Sequence, residues 1–229
     1  TIAGVSVTPV TCDDTTNVCS AVHTVGAGDT EGDVGISIVF LDVAGNTGAP
    51  VTSVSDGSSV AIDIAPPRLS HVFVYPSLVC RGMSVYLEFV PSEPVYMRPD
   101  VMICGERVDV VYCDAGICVA VAAITNATQQ GLVTFAIDFS DVAGNAGETV
   151  SDTTDGSVTV IDTTVPTIDR IELVSSTSPH PAGVGAEITL TFTASETLAA
   201  DPSVTIAGVS VTPVTCDDTT NVCSAVHTV

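Results

Sequence analysis

The chain has 229 residues, 45% of them hydrophobic and only 4% aromatic, with no Trp and a formal net charge of −22. That apolar fraction excludes a disordered polyelectrolyte. Five basic residues, all Arg, against 27 acidic ones make a surface that repels phosphate backbones, so no nucleic-acid partner is expected. No apolar run reaches the roughly 18–20 residues of a membrane-spanning helix, so no span is expected in this segment.

Taken in order, the chain repeats itself. Thr1–Val25 returns without a change as Thr205–Val229, so positions 1 and 205 are equivalent. A second, imperfect repeat lies inside the first. Asp42-Val-Ala-Gly-Asn46 matches Asp141-Val-Ala-Gly-Asn145, and the same spacing aligns Ile62-Asp63 with Ile161-Asp162, and Val72 and Val74 with Ile171 and Leu173. Further on, Phe89 aligns with Phe192, Ser92-Glu93 with Ser195-Glu196, and Gly105 with Gly208. Each long period therefore holds two homologous domains of about a hundred residues, a common domain size. Residues 1–65 read as the C-terminal part of one domain, 66–165 as a complete domain, and 166–229 as the N-terminal part of the next. More of the same is expected before Thr1 and after Val229.

Val, Ile and Thr are stiff at χ1 and favour strands. In the complete domain short strands are expected at 69–75, 84–90, 101–103, 107–113, 118–124, 132–139 and 157–161. The clearest is 84–90, where Val85, Leu87 and Phe89 alternate with Ser84, Tyr86 and Glu88. Residues 107–113 and 118–124 flank a tight connection and read as a hairpin. About seven short strands per hundred residues, with no helical period, predict an all-β chain of tandem β-sandwiches.

Eight Cys in a Ser/Thr-rich β chain fit an oxidising, extracellular setting, and disulfides suit their spacing better than zinc. The internal repeat suggests the pairing. Cys12 and Cys19 match Cys113 and Cys118 although the loop between them changes length, and Cys216–Cys223 is the first pair again. Cys80 and Cys104 occur in one domain and are both missing from the other, at Gly183 and Ala207. Four bridges are expected: Cys12–Cys19, Cys80–Cys104, Cys113–Cys118 and Cys216–Cys223.

Asp-Thr-Thr-x-Pro at Asp162–Pro166, Ala-Ser-Glu at Ala194–Glu196, Gly-Asp-Thr-Glu-Gly at Gly28–Gly32 and the Phe-x-Asp-x-Ala-Gly-Asn-x-Gly stretches together resemble the tandem bacterial-type immunoglobulin-like repeats of large surface adhesins and extracellular fibres. The resemblance covers essentially the whole chain. It implies immunoglobulin-like sandwiches of about seven strands each. The cysteines depart from the usual pattern of such repeats and favour an oxidising secretory route, with flagellar hairs (mastigonemes) as one fitting fibre.

Asp42 and Asp141 open Asp-x-Ala-Gly-Asn turns, where Asp caps and Gly-Asn supplies the left-handed backbone. The alternative is a calcium site in which Asp42 and Asp141 are helped by Asp63 or Asp162 at a domain junction, since calcium takes carboxylate and carbonyl oxygens. No cofactor is expected, with calcium as the one alternative. The acidic loop at Gly28–Asp33 reads as solvated, with calcium again the alternative. Asn126-Ala-Thr is an N-glycosylation acceptor on a loop. His23, His71, His180 and His227 are isolated, and nothing resembles a catalytic constellation, so no enzyme is expected. The function expected is structural: a repeat unit of an extracellular filament or stalk, secreted or at a cell surface, whose partners are further copies of itself in a longer covalent array or head to tail. The alternative is the spacer of a cell-surface adhesin, stiffened by calcium, that presents a separate ligand-binding tip.

Overall fold

A computed structural model describes every residue except Ala115 and Asn126. It is all-β. Among the described residues no helix is long and apolar enough to cross a membrane. By internal contacts the chain falls into two compact units, Thr1–Asp162 and Thr163–Val229.

In the first unit, β1 (Thr11–Asp13), β2 (Val18–Ser20), β3 (Gly32–Asp33) and β4 (Ala61–Ile62) are short and mostly exposed. Ten strands follow: β5 (Leu69–Tyr75), β6 (Leu78–Val79), β7 (Ser84–Pro91), β8 (Asp100–Ile103), β9 (Glu106–Val108), β10 (Val110–Asp114), β11 (Ile117–Ala123), β12 (Gly131–Leu132), β13 (Phe135–Asp138) and β14 (Val160–Ile161). They form a four-stranded sheet, β10-β11-β7-β5, and two three-stranded sheets, β13-β8-β9 and β12-β14-β6.

The period-two pattern of β7 is realised as read. Val85, Leu87 and Phe89 are fully buried while Tyr86 is exposed. Their face meets Val72 and Val74 of β5, Ala120 of β11, and Val101, Ile103, Ile137 and Ile161 of the other sheets in one core. Each such side chain contributes about 1.5–3 kcal/mol by leaving water. Two buried polar groups are satisfied. Thr159 Oγ1 donates to the Pro76 carbonyl at 2.7 Å, and Asp141 accepts backbone N–H groups of its own turn.

The expected strand 107–113 is two strands. β9 pairs with β8 in one sheet, β10 pairs with β11 in another, and the chain changes sheets at Asp109. The expected strand 132–139 is likewise divided into β12 and β13, which lie in different sheets. β6 was not foreseen: two residues paired in parallel with β14 are too few to leave a periodic signal.

Gly147 lies against the ring of Phe139. A Cβ there would stand 2.5 Å from ring carbons and 2.9 Å from the Pro67 carbonyl oxygen. The ring is 8% exposed and the carbonyl belongs to the backbone, so neither yields readily. Gly147→Ala is expected to destabilise the domain by roughly 1–3 kcal/mol in urea unfolding, through overpacking.

The second unit contains β15 (Ile168–Ser175), β16 (Glu187–Ala194), β17 (Val204–Ile206), β18 (Val209–Val211), β19 (Val214–Asp217) and β20 (Val222–Thr228). Its main sheet is β15-β16-β20-β19. The register reproduces the repeat. Ile171 pairs with Phe192 and Leu173 with Leu190, as Val72 pairs with Phe89 and Val74 with Leu87.

The two identical 25-residue stretches separate local from tertiary determinants. Both fold the same hairpin. Cys12 faces Cys19, Asp13 Oδ1 accepts the N–H groups of Thr15 and Thr16, and Asn17 has a φ of 56°. Cys216 faces Cys223, Asp217 Oδ1 accepts those of Thr219 and Thr220, and Asn221 has a φ of 57°. Beyond the hairpin they diverge. β20 runs seven residues along β16 and buries Cys223 and Ala225, whereas β2 runs three residues and leaves Cys19 and Ala21 exposed. The turn is encoded locally by the cap, the left-handed Asn and the disulfide. The long strand needs β16 beside it.

Candidate functional site

Three carboxylates from distant parts of the first unit converge. Asp63 follows β4, Glu93 follows β7, and Asp141 opens the turn after Phe139. One oxygen from each lies within 4.8 Å of the other two. Each is held by a local device. Ala65 N–H donates to Asp63 Oδ1 at 3.2 Å. Glu93 is placed by its neighbour: Arg68 N–H donates to Ser92 Oγ, and Ser92 N–H donates to the Arg68 carbonyl. The same clamp recurs at Ser195 and Thr167, beside Glu196. Asp141 Oδ1 accepts the N–H groups of Gly144 and Asn145 at 2.7 and 2.8 Å, and Oδ2 accepts Asn145 Nδ2 at 2.8 Å. Asn145 Nδ2 also reaches the Asp63 carbonyl at 3.2 Å, which ties the turn to the segment leaving β4.

The electrostatics follow from this crowding. Burial pushes the Glu93 carboxyl up, and the neighbouring Asp63, Asp141 and Glu31 push it further the same way. Burial also acts upward on Asp141, but the Asn145 side chain and backbone and the Gly144 N–H outweigh it and hold that carboxyl below the ordinary range. Asp141 is thus kept ionised beside a Glu93 that resists ionisation.

The donor set is hard oxygen throughout, with no His or Cys, which suits calcium rather than zinc. Calcium binds oxygens at about 2.3–2.6 Å, so two ligands on opposite sides of one ion stand roughly 5 Å apart, a span these carboxylates do not exceed. Asp63, Glu93 and Asp141 fit such an ion, with other ligands from carbonyls or water.

Of the four expected calcium candidates, the structure brings Asp63 and Asp141 together. Asp42 makes the same turn, its Oδ1 accepting Ala44 and Asn46 N–H groups, but it is exposed. Among the described residues neither Asp42 nor Asp162 joins a carboxylate group of this kind. Glu93 was missed as a ligand. The signal was present, because Ser92-Glu93 is one of the stretches the repeat preserves. The loop at Gly28–Asp33 is anchored: Asp29 accepts Gly26 N–H at 2.8 Å and meets His23 Nε2 at 3.0 Å, so His23 is not isolated.

Three expected disulfides are formed, Cys12–Cys19, Cys113–Cys118 and Cys216–Cys223. The fourth is not. Cys80 and Cys104 are free thiols that follow β6 and β8, in different sheets. Cys104 occupies a left-handed turn position with φ 53°, and its N–H donates to the Thr134 carbonyl. Asn126, the expected glycan acceptor, lies outside the described residues.

Without metal, acid is expected to help before it harms. The raised Glu93 binds a proton more readily folded than unfolded, so the metal-free protein gains stability as pH falls from neutrality towards the ordinary glutamate value of 4.5. The lowered Asp141 acts oppositely, and its contribution is lost at more acidic pH. A melting series in EDTA from pH 7 to pH 3 should pass through a maximum, and Glu93→Gln should abolish the rise. No protein-family model matches the chain, and no curated protein matches it.

Proposed function

We propose that this chain is a structural segment of an extracellular filament or stalk, built from tandem disulfide-stapled immunoglobulin-like sandwiches. The reading rests on the unchanged return of Thr1–Val25 at Thr205–Val229, together with the register that makes 166–229 a second edition of the start of 66–165. A sequence that repeats both its strands and its junction residues is suited to spacing and bearing load. Three disulfides fit a secreted setting. Pro66 and Pro67 at the junction fix φ and restrict the residues before them, which stiffens the link between successive sandwiches.

A second reading, the calcium-stiffened spacer of an adhesin, is favoured by the site at that junction. Asp63 belongs to the end of one repeat, and Glu93 and Asp141 to the next. A cation held by all three couples neighbouring domains and relieves the repulsion among them. Calorimetry of the full chain tests the coupling. Calcium at 100 times its Kd should add about 2.7 kcal/mol of stability, removed by EDTA and absent in Asp63→Asn. A melting temperature indifferent to both calcium and EDTA would rule out the stiffened spacer.

A further inference from the structure

One face of the complete domain carries rings that its sister domain lacks. The chain has four Tyr, and aromatic residues make up only 4% of it. Tyr75 and Tyr86 are register partners on β5 and β7, with ring centroids 5.2 Å apart and planes 9° from parallel. Phe73 also stacks on Tyr75, at 5.2 Å. Tyr112 stands on the same face: it pairs with Val119 of β11, which pairs with Glu88, two residues along β7 from Tyr86. This is the outer face of the sheet, because the alternate residues Val72, Val74, Val85 and Leu87 belong to the core. Burial first, and then Glu88, Tyr112 and Tyr86, push the Tyr75 phenol up, so the three phenols lie within electrostatic reach of one another.

The fold does not require these rings. By the repeat, Tyr75, Tyr86 and Tyr112 correspond to Val174, Thr189 and Thr215, and Val174 pairs with Thr189 in the register that joins Tyr75 to Tyr86. The pair also lies where the domain has no covalent tie. β5 is an edge strand of the sheet β10-β11-β7-β5 and follows the Pro66-Pro67 junction, so tension from a preceding sandwich reaches it first. The Cys113–Cys118 bridge joins β10 to β11, at the other side of that sheet. With no Trp in the chain, the phenols are its most readily oxidised rings.

We propose that Tyr75 and Tyr86 are an oxidative cross-linking site, at which hydrogen peroxide and a haem peroxidase join the two rings as dityrosine and so tie β5 to β7. Tyr86 is 37% exposed and open to the oxidant. It gives up an electron and its phenol proton, the stacked Tyr75 refills it, and a second oxidation at Tyr86 leaves both rings as radicals. The radicals couple through the ring carbons beside each hydroxyl, and the hydrogens on those carbons move to the oxygens and restore both phenols. One carbon–carbon bond forms, the peroxide oxygen–oxygen bond breaks, and the two hydrogen atoms lost by the pair end in two waters. Rings already in contact couple far faster than rings that must meet by diffusion. Both stand on the open face, so they can turn from stacked to edge-on without moving the strands. The chemistry is independent of the stalk reading above; only its use under tension rests on it.

Peroxidase treatment of the dilute full chain tests this, with the free thiols of Cys80 and Cys104 alkylated first so that they consume no peroxide. The monomer, separated by size, should show dityrosine fluorescence and a mass lower by two hydrogen atoms. Trypsin cuts after Arg68, Arg81 and Arg107 but not between Arg98 and Pro99, so Tyr75 falls in peptide 69–81 and Tyr86 in 82–107. Those two peptides should remain joined. Tyr75→Phe and Tyr86→Phe keep the rings and the stack, and each should abolish the joined pair. Tyr96 shares peptide 82–107 but is 65% exposed and outside the stack, so Tyr96→Phe should leave the joined pair in place. Unfolding in urea before oxidation should suppress it. A wild-type monomer without the joined peptides, a joined pair that survives Tyr75→Phe or Tyr86→Phe, or an equal yield from the unfolded chain would each overturn the proposal.

Discussion

Phe89→Ala should destabilise the protein by about 3–5 kcal/mol in urea unfolding, the usual cost of emptying a buried aromatic site. The ring is fully buried in the middle of the central strand β7, opposite Val72 on β5 and Cys118 on β11. Its loss leaves a cavity in a core made largely of Val and Ile, whose side chains have little rotamer freedom with which to fill it. The contrast is Ile171→Ala. That residue is the counterpart of fully buried Val72, yet it is 68% exposed, so the change should cost less than about 0.5 kcal/mol. A Phe89→Ala variant within about 1 kcal/mol of wild type would mean that the core does not sit where the structure places it.

The second large effect is removal of the Cys113–Cys118 bridge by paired Ser substitution, expected to cost about 2–4 kcal/mol. Closing so short a loop is worth about 2 kcal/mol in chain entropy. Cys118 is 1% exposed and faces the core beside Phe89, so a Ser there also buries a hydroxyl. The same substitution at Cys12 and Cys19 acts on a hairpin whose two cysteines are exposed. It should leave the transition of 66–165 where it is. Equal losses from the two pairs would show that 1–65 and 66–165 unfold together.

How far the sequence can be read follows from the range of the forces involved. The period of β7, the Asp-capped turns at Asp42 and Asp141 and three of the disulfides were legible, because each depends on neighbours a few residues apart. The change of sheet at Asp109 was not, since β9 and β10 differ only in which distant strand each meets. The Cys80–Cys104 expectation failed for a related reason: joint presence in one domain says that two residues changed together, not that their sulfurs meet. The carboxylate site was half legible. Asp141 shows in its Asp-x-Ala-Gly-Asn turn and Asp63 at the domain junction, while Glu93 carries only a repeat match, its role depending on how the Ser92–Arg68 clamp aims it. The identical termini make the point within one chain. The same 25 residues yield a seven-residue strand beside β16 and a three-residue one without it.

The proposed role, spacing and bearing load as part of a repeating fibre or stalk, is open to direct observation. Immunogold electron microscopy of the native source material, with antibodies raised against residues 66–165, tests it most directly. A fibre or stalk role predicts gold at regular intervals along a filament or a surface stalk, one label for each long period. Gold scattered through soluble material, with no filament or stalk beneath it, would contradict it.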